Sequence, residues 1–214
     1  MFPELLYKAF EKRSYAEDFC NGKFRFSTLE YYKNSKDSER VDKTEGVGKV
    51  KRDGEELVVD LTNRVIHSKP GISNLHVEAS SRERFIICFS NPKDGTIESL
   101  PQKFGTFYVK INNPKQLFHD IEKAINNDKG LQQNPPCLEA SQVRYDKDDC
   151  VGKLENKEEI RMLAWMQKPI QYADEQEYRI QFLFSGREFI NSPESYTVRF
   201  GDSIDYCDII ETQP

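Results

Sequence analysis

The sequence predicts an α+β fold, an antiparallel or mixed sheet system with a few flanking helices, contained in one domain over 1–214. Three observations lead there. Strand-like stretches are numerous, and helical ones are few and scattered instead of alternating with strands, which argues against a parallel βαβ arrangement. A chain of 214 residues is long enough for one substantial core. Although only 37% of residues are hydrophobic, 14 Phe and 10 Tyr supply large apolar surfaces on which to build it.

Taken in order, Ser14 and Glu17 have the S-x-x-E form of a capping box and Gly22 supplies a stop, which predicts a helix over 15–21. "KFRF" at 23–26 reads as a strand with Phe24 and Phe26 on one face. Ser27 and Glu30 repeat the box and open a short helix, "TLEYYKN", followed by a polar loop, "SKDSERVDKTEGVG". Asp53-Gly54, between "GKVKR" and "EELVVDL", is a hairpin signal, since tight primed turns need positive φ at both central residues. Residues 68–82 read as a second loop. "RFIICFS" at 84–90, apolar on both faces, suits a central strand covered on two sides.

"TFYVKI" is a further strand leading to Asn113 and Pro114, a cap and first-turn pair that opens a helix over 114–126. Leu117, Phe118, Ile121, Ala124 and Ile125 form its apolar stripe. Residues 127–140 are rich in breakers and read as a loop, "SQVRYD" as a strand, and "NKEEIRMLAWMQK" as a helix. Three strands complete the chain at 177–184, 195–200 and 205–210.

Composition narrows the function. No stretch approaches the roughly 20 consecutive apolar residues of a membrane span, and the N-terminus lacks the order of a secretory signal, so a soluble, cytoplasmic protein is expected. A net charge of −5 provides no field that attracts nucleic acid broadly. The five cysteines show no CxxC or Cys/His spacing, which argues against a disulfide framework and a zinc site and for reduced, mostly packed thiols. Cys88 lies in an apolar strand where a thiolate is costly, so it is not expected to be a nucleophile. His67, His76 and His119 have no partner spacing and read as structural or surface residues.

The candidate site is carried by "QYADEQEYRIQFLF" at 171–184. Its alternation puts Tyr178, Ile180, Phe182 and Phe184 on one face and Glu177, Arg179, Gln181 and Leu183 on the other. The second face begins polar and ends apolar, as in a strand with one end lining a cleft; the plainer alternative is a solvated edge. Arg179, two residues after Glu177, stands on the same face and can hold that carboxylate ionised or bind phosphate itself. In a solvated pair, loss of the Glu177 charge costs at most about 1 kcal/mol. A catalytic Glu177 is expected to accept glutamine with stability nearly unchanged.

The element "E-Q-E-Y-R-I" resembles the E-x-E element of ADP-ribosyltransferases. The resemblance implies NAD as cofactor, with Glu177 holding a ribose hydroxyl and steadying the positive charge that develops as nicotinamide leaves, and Glu175 orienting the acceptor. A carboxylate close to a cationic sugar is what such a transition state needs. Ser27 and Thr28 in "F-R-F-S-T-L" stand where that family ends a strand in Ser-Thr-Ser, with Leu29 in the final place. Lys8 or Arg13 stands where its first strand has Arg or His.

More broadly, the order of "LLYKAF", "GKFRFSTLEYYKN", "ERVDKTEG", "FIICFS", "FGTFYVKI", "VRYD" and "KPIQYADEQEYRI" is similar to a bacterial family known only as a domain of unknown function and often found near phage-defence genes. That family often has a Trp and a Tyr after "CFS", which "NPKDGTIESLPQKFG" lacks; Tyr31 and Tyr32 are the aromatics that could substitute. Together the resemblances imply a cofactor-binding set of Tyr7, Lys8, Ser27, Thr28, Tyr31, Arg40, Ser90 and Arg179, with an acidic loop carrying Asp42 and Glu45.

Two classes follow: an NAD-using transferase or glycohydrolase acting in phage–bacterium conflict, and a non-catalytic module that binds a protein partner in phage defence or its evasion. A rival chemistry would gather Arg40, Asp42, Glu45, Glu175 and Glu177 around Mg²⁺; the expectation is a site without metal.

Overall fold

The computed structural model describes residues 2–33, 47–52, 55–60, 65–68, 84–101, 104–131, 136–146, 165–183 and 194–212. The architecture is α+β, with an antiparallel sheet of eight strands and three helices among the described residues. The strands of this sheet are β1 (Leu6–Phe10), β2 (Lys23–Thr28), β6 (Arg84–Ser90), β7 (Phe107–Ile111), β8 (Leu138–Gln142), β9 (Glu177–Leu183), β10 (Ser195–Arg199) and β11 (Cys207–Glu211). The helices are α1 (Arg13–Cys20), α2 (Leu29–Lys33) and α3 (Pro114–Asn127). A three-stranded antiparallel sheet holds β3 (Val47–Arg52), β4 (Glu55–Asp60) and β5 (Val65–Ser68).

The large sheet is organised by β6. Its whole length pairs with β9, from Arg84 opposite Leu183 to Ser90 opposite Glu177. Its other edge is divided: Phe85 and Ile86 pair with Thr28 and Ser27 of β2, and Ser90 pairs with Tyr7 of β1. From this fork one arm continues through β2 to β10 and the other through β1 and β7 to β11, with β8 closing the far side of β9. Residues 87–89 therefore face the gap between the arms, a gap that has consequences for the site.

The alternation of β6 and β9 decides what lies on each side of the sheet. Phe85, Ile87 and Phe89 join Tyr178, Ile180 and Phe182 in the main core, together with Phe19, Phe24 and Phe26. The Phe85 and Phe182 rings stack with centroids 5.3 Å apart, and Phe26 meets Phe182 edge-on at 4.8 Å. Both geometries suit the aromatic quadrupole. Leu117, Ile121, Ala124 and Ile125 of α3 complete this core.

Several elements differ from their sequence expectation. Helix α1 begins at Arg13, with Lys12 as an N-cap that makes no side-chain bond, so Ser14 lies inside the first turn and is not a cap. Arg13 takes the reach of Glu17 instead, at 3.1 Å. Gly22 is the expected stop: its φ is +72°, and a Cβ there would stand 2.6 Å from the Asp202 carbonyl. In α2 the cap is Thr28, whose Oγ1 accepts from Tyr31 N–H at 3.1 Å, while Ser27 stays in the strand. The strand expected at 141–146 lies earlier, at Leu138–Gln142, overlapping the expectation at 141–142 and beginning within the stretch read as a loop.

Asn113 caps α3 by accepting from Gln116 N–H at 3.1 Å, with Pro114 following it as expected. Phe118, expected in the apolar stripe, is half-buried: it packs against the margin of the main core and meets the Phe2 ring at 5.2 Å. β5 was not anticipated, and Asp53 and Gly54 lie outside the described residues, although Arg52 pairs with Glu55 as a two-residue hairpin requires. Of the helix expected at 156–168, residues 165 and 166 are helical, 167 and 168 are not, and the rest lies outside the described residues.

α3 packs on the main core through Ile121, which is fully buried. Ile121→Ala is expected to cost about 2–5 kcal/mol in urea unfolding. Phe118→Ala should cost less than Ile121→Ala, despite removing the larger side chain.

Candidate functional site

The fork positions a cavity of about 190 Å³, lined by Tyr7, Lys8, Ala9, Tyr32, Cys88, Phe89, Ser90, Phe104, Lys168, Glu175, Glu177 and Arg179. Register explains the gathering. Ser90 pairs with Tyr7 on one side and Glu177 on the other, and Cys88 pairs with Arg179, so their side chains share one face of neighbouring strands.

Glu177 is fixed through its backbone before its carboxylate is used. Its N–H donates to the Tyr145 hydroxyl at 2.7 Å, and its carbonyl accepts from Val143 N–H and Gln142 Nε2, both at 2.9 Å. Gln176, the middle residue of E-x-E, adopts a left-handed conformation with φ of 44°, which turns the chain from the 3₁₀ turn Ile170–Glu175 into β9. Such a conformation costs a non-glycine residue about 1–2 kcal/mol. Gln176 is held there from both ends: its carbonyl accepts from Asn91 N–H at 2.7 Å and its side chain from Lys93 N–H at 2.8 Å. The result is that Glu175 and Glu177 both reach the cavity.

Four charges meet at this point, and all are buried: Glu175, Glu177, Lys168 and Arg179. Arg179 Nε donates to Glu177 Oε1 at 2.7 Å and Nη2 to Oε2 at 3.2 Å, a two-pronged pairing that suits the guanidinium fork. The Lys168 ammonium bridges the carboxylates, 2.7 Å from Glu177 Oε2 and 2.6 Å from Glu175 Oε2. Arg179 Nη1 donates to the Trp165 carbonyl. Lys168 is held by its own N–H, which donates to the Arg144 carbonyl at 2.9 Å.

Burial opposes the charge on Glu177, but Arg179 first and Lys168 second outweigh it and hold the carboxyl well below the usual carboxylate range. The Cys88 thiol lines the same cavity; burial, then the Glu177 charge, push it well above a normal thiol. Tyr32 also lines the cavity, and burial, then its neighbour Cys88, raise its phenol well above the ordinary value. Cys88 is therefore held as the neutral thiol. Lys8 reaches in from β1, its Nζ 3.0 Å from the Cys88 carbonyl and near the Phe10 and Phe89 rings.

Of the residues singled out from the sequence, Tyr7, Lys8, Ser90, Glu175, Glu177 and Arg179 line this one cavity. Ser27 and Thr28 do not; Ser27 is buried in the β2–β6 ladder and Thr28 caps α2. Tyr31 also stays outside, against the Tyr32 ring and under the Arg25 guanidinium, and it is Tyr32 that enters. Arg40, Asp42 and Glu45 lie outside the described residues, as do His76 and Cys150. The expectation of a solvated strand edge is corrected: β9 runs between β6 and β8, and Arg179 is 1% exposed.

Lys168 was not anticipated. Its signal was a lysine directly before Pro169, seven residues ahead of Glu175, a spacing that no strand or helix period connects to Glu177. Its ammonium takes the place between the two carboxylates that a divalent cation would need. Among the described residues, no group of three or more His, Cys, Asp or Glu side chains is placed to hold a metal ion. No described helix is long and apolar enough to cross a membrane. Comparisons with protein-family models, curated proteins and solved structures find no match.

Burial changes what Glu177→Gln is expected to do. Removing the charge leaves Lys168 and Arg179 without a full counter-charge, and breaking a buried pair from one side costs about 3–5 kcal/mol at neutral pH. Because the folded-state pKa is depressed, this stabilisation is complete above 4.5, the free-carboxyl value, and is lost as pH falls below it. Urea unfolding of both proteins should show the wild type's advantage shrinking as pH is lowered from 5 toward 2.

Proposed function

We propose that this chain is an NAD-using ADP-ribosyltransferase or NAD glycohydrolase, acting in conflict between phage and bacterium. The observation that carries the reading is the convergence of Tyr7, Lys8, Ser90, Glu175, Glu177 and Arg179 on one cavity. Those residues come from three separate strands and a 3₁₀ turn, and chance gives little reason for them to meet. The setting of phage defence rests on the sequence resemblance alone.

The lining has the character that such a ligand requires. Three cations, Lys8, Lys168 and Arg179, face two carboxylates, so the cavity carries one positive charge in excess, as suits a diphosphate. Phe89, Phe104 and Tyr32 provide aromatic surface for a flat ring, and the volume of about 190 Å³ takes a nucleoside-sized part of a dinucleotide. NAD would supply an activated bond between ribose and nicotinamide.

Glu177, ionised at neutral pH, lies where it can steady positive charge on a sugar. Oε2 accepts from both Arg179 Nη2 and Lys168 Nζ, whereas Oε1, which accepts from Arg179 Nε, keeps a second lone pair. Glu175 is placed beside it to accept a hydrogen bond from water or from an acceptor on a target. Lys168 keeps the two carboxylates together, and Arg179 fixes the plane of Glu177.

A second reading is a non-catalytic module that binds a protein partner in phage defence or its evasion. It is favoured by the closure of the charge network on itself: each of the four groups already has its counter-charge without any ligand.

Incubating the purified chain with NAD separates the two. The transferase reading expects nicotinamide release, with Glu177→Gln lowering the rate by about 100-fold or more in protein shown to be folded. An active Glu177→Gln protein, or a wild type that neither releases nicotinamide nor labels a target, would remove that reading.

A further inference from the structure

The large sheet ends in an open edge. β11 pairs with β7, and among the described residues no strand lies on its other side. The register shows which main-chain groups this edge presents. Asn112 N–H donates to the Tyr206 carbonyl and Thr212 N–H to the Thr106 carbonyl, both at 2.9 Å, and each bond joins residues directly opposite each other in the β7–β11 register. Hydrogen-bonded and non-bonded pairs alternate along an antiparallel ladder. The even-numbered residues of β11 therefore turn their N–H and C=O groups to β7, and Cys207, Ile209 and Glu211 turn theirs outward. None of the five residues of β11 is buried, so the edge is open to solvent.

Two further features lie along it. Asp202, Asp205, Asp208 and Glu211 are exposed, and the stretch 201–212 holds no Lys or Arg. Glu211 already draws one cation, Arg13 of α1, whose Nη1 stands 3.7 Å from its carboxylate in an exposed pair. Beside the edge, Tyr108 stands opposite Ile210, and both line a cavity of about 340 Å³ together with Ile97 and Leu100. It shares no lining residue with the charged cavity.

We propose that β11 is a docking edge for a protein partner, which adds an extended basic segment there as a further antiparallel strand. In strand addition the main chain supplies affinity and the alternating side chains supply specificity. An antiparallel addition continues the pattern of the sheet, in which every strand pairing is antiparallel. The partner residues opposite Ile209 and Glu211 exchange main-chain bonds with them. The residue opposite Ile210 falls on the Tyr108 face and directs an apolar side chain toward the 340 Å³ cavity. Residues opposite Asp208 and Glu211 are basic, because opposite charges stabilise a cross-strand pair and like charges destabilise it. In antiparallel order the partner segment therefore reads basic, apolar, any residue, basic.

Charge also selects between occupants. A second copy of this chain would set one acidic edge against another, whereas a net charge of −5 attracts a basic partner from a distance. The surface is independent of any turnover of NAD, since β7 separates β11 from the strands that line the charged cavity.

The experiment titrates the full-length, isotope-labelled chain with the peptide acetyl-Thr-Lys-Ile-Val-Lys-Thr-amide, whose Lys-Ile-Val-Lys core falls opposite Glu211, Ile210, Ile209 and Asp208. The expected result is saturable NMR shifts, strongest at the amides of Cys207, Ile209 and Glu211. Replacing both Lys by Glu should weaken binding by about tenfold. N-methylation of the peptide Val, whose N–H bonds to the Ile209 carbonyl, should also weaken it by about tenfold. N-methylation of the peptide Ile, whose N–H faces away from β11, should leave binding within about twofold. Glu211→Pro removes an outward N–H and leaves the β7 ladder intact, and should weaken binding as Val methylation does. No saturable binding at millimolar peptide would overturn the proposal, as would shifts centred on another strand. Equal binding by the Glu peptide or the Val-methylated peptide would do the same. So would dimerisation of the chain alone that Glu211→Pro abolishes, which assigns the edge to a second copy. Should Glu211→Pro fail to fold, the two methylated peptides decide the matter on the wild type.

Discussion

Arg179 stands 1% exposed in the middle of an eight-stranded sheet, and its guanidinium cannot shed its charge to adapt. The surroundings must therefore supply negative charge and acceptors, and they do so through Glu177 and the Trp165 carbonyl. Glu177, now buried in turn, draws in Lys168, and Lys168 draws in Glu175. Each charge is tolerable only because the next is present, since an isolated buried ion costs several kcal/mol even after relaxation. The network accounts for the left-handed Gln176, because an ordinary extended residue there would leave Glu175 in the path of the strand and not beside Lys168.

The network sits where the sheet cannot close. β9 occupies one edge of β6 completely, so β1 and β2 must share the other, and they leave 87–89 facing a gap. Lys8 enters there to meet the Cys88 carbonyl, and Tyr32, from the helix that follows β2, joins Cys88 in the cavity lining. A forked sheet thus has two properties that a continuous one lacks: a cavity lined from both arms, and polar groups of a central strand open to a ligand.

Much of this was legible in the sequence, and the failures have physical causes. The period-two pattern of 177–183 correctly placed Glu177 and Arg179 on one face, because strand alternation is set by backbone geometry alone. It could not say that this face is buried, since Glu, Arg and Gln along a strand are the usual mark of solvent; β8 closes the edge of β9, and the segment carrying Trp165 and Lys168 lies against its charged residues. Tyr7, Lys8 and Ser90 reach one cavity because the register of β1 and β6 brings their strands together. Ser27 and Thr28 are taken up by the β2–β6 ladder and the start of α2, and Tyr32, not Tyr31, lines the cavity. Lys168 was beyond reach, since it is positioned by a single bridge between residues 144 and 167 that no local pattern encodes.

The most direct test of the buried network is a double-mutant cycle on Lys168 and Glu177, using Lys168→Met, Glu177→Gln and the double variant in urea unfolding at pH 7. If Lys168 and Glu177 are ionised and mutually dependent, the double variant should be more stable than the sum of the single losses implies, with a coupling of about 1–3 kcal/mol. Additivity within about 0.5 kcal/mol would contradict this and would mean that the two charges are held by separate partners.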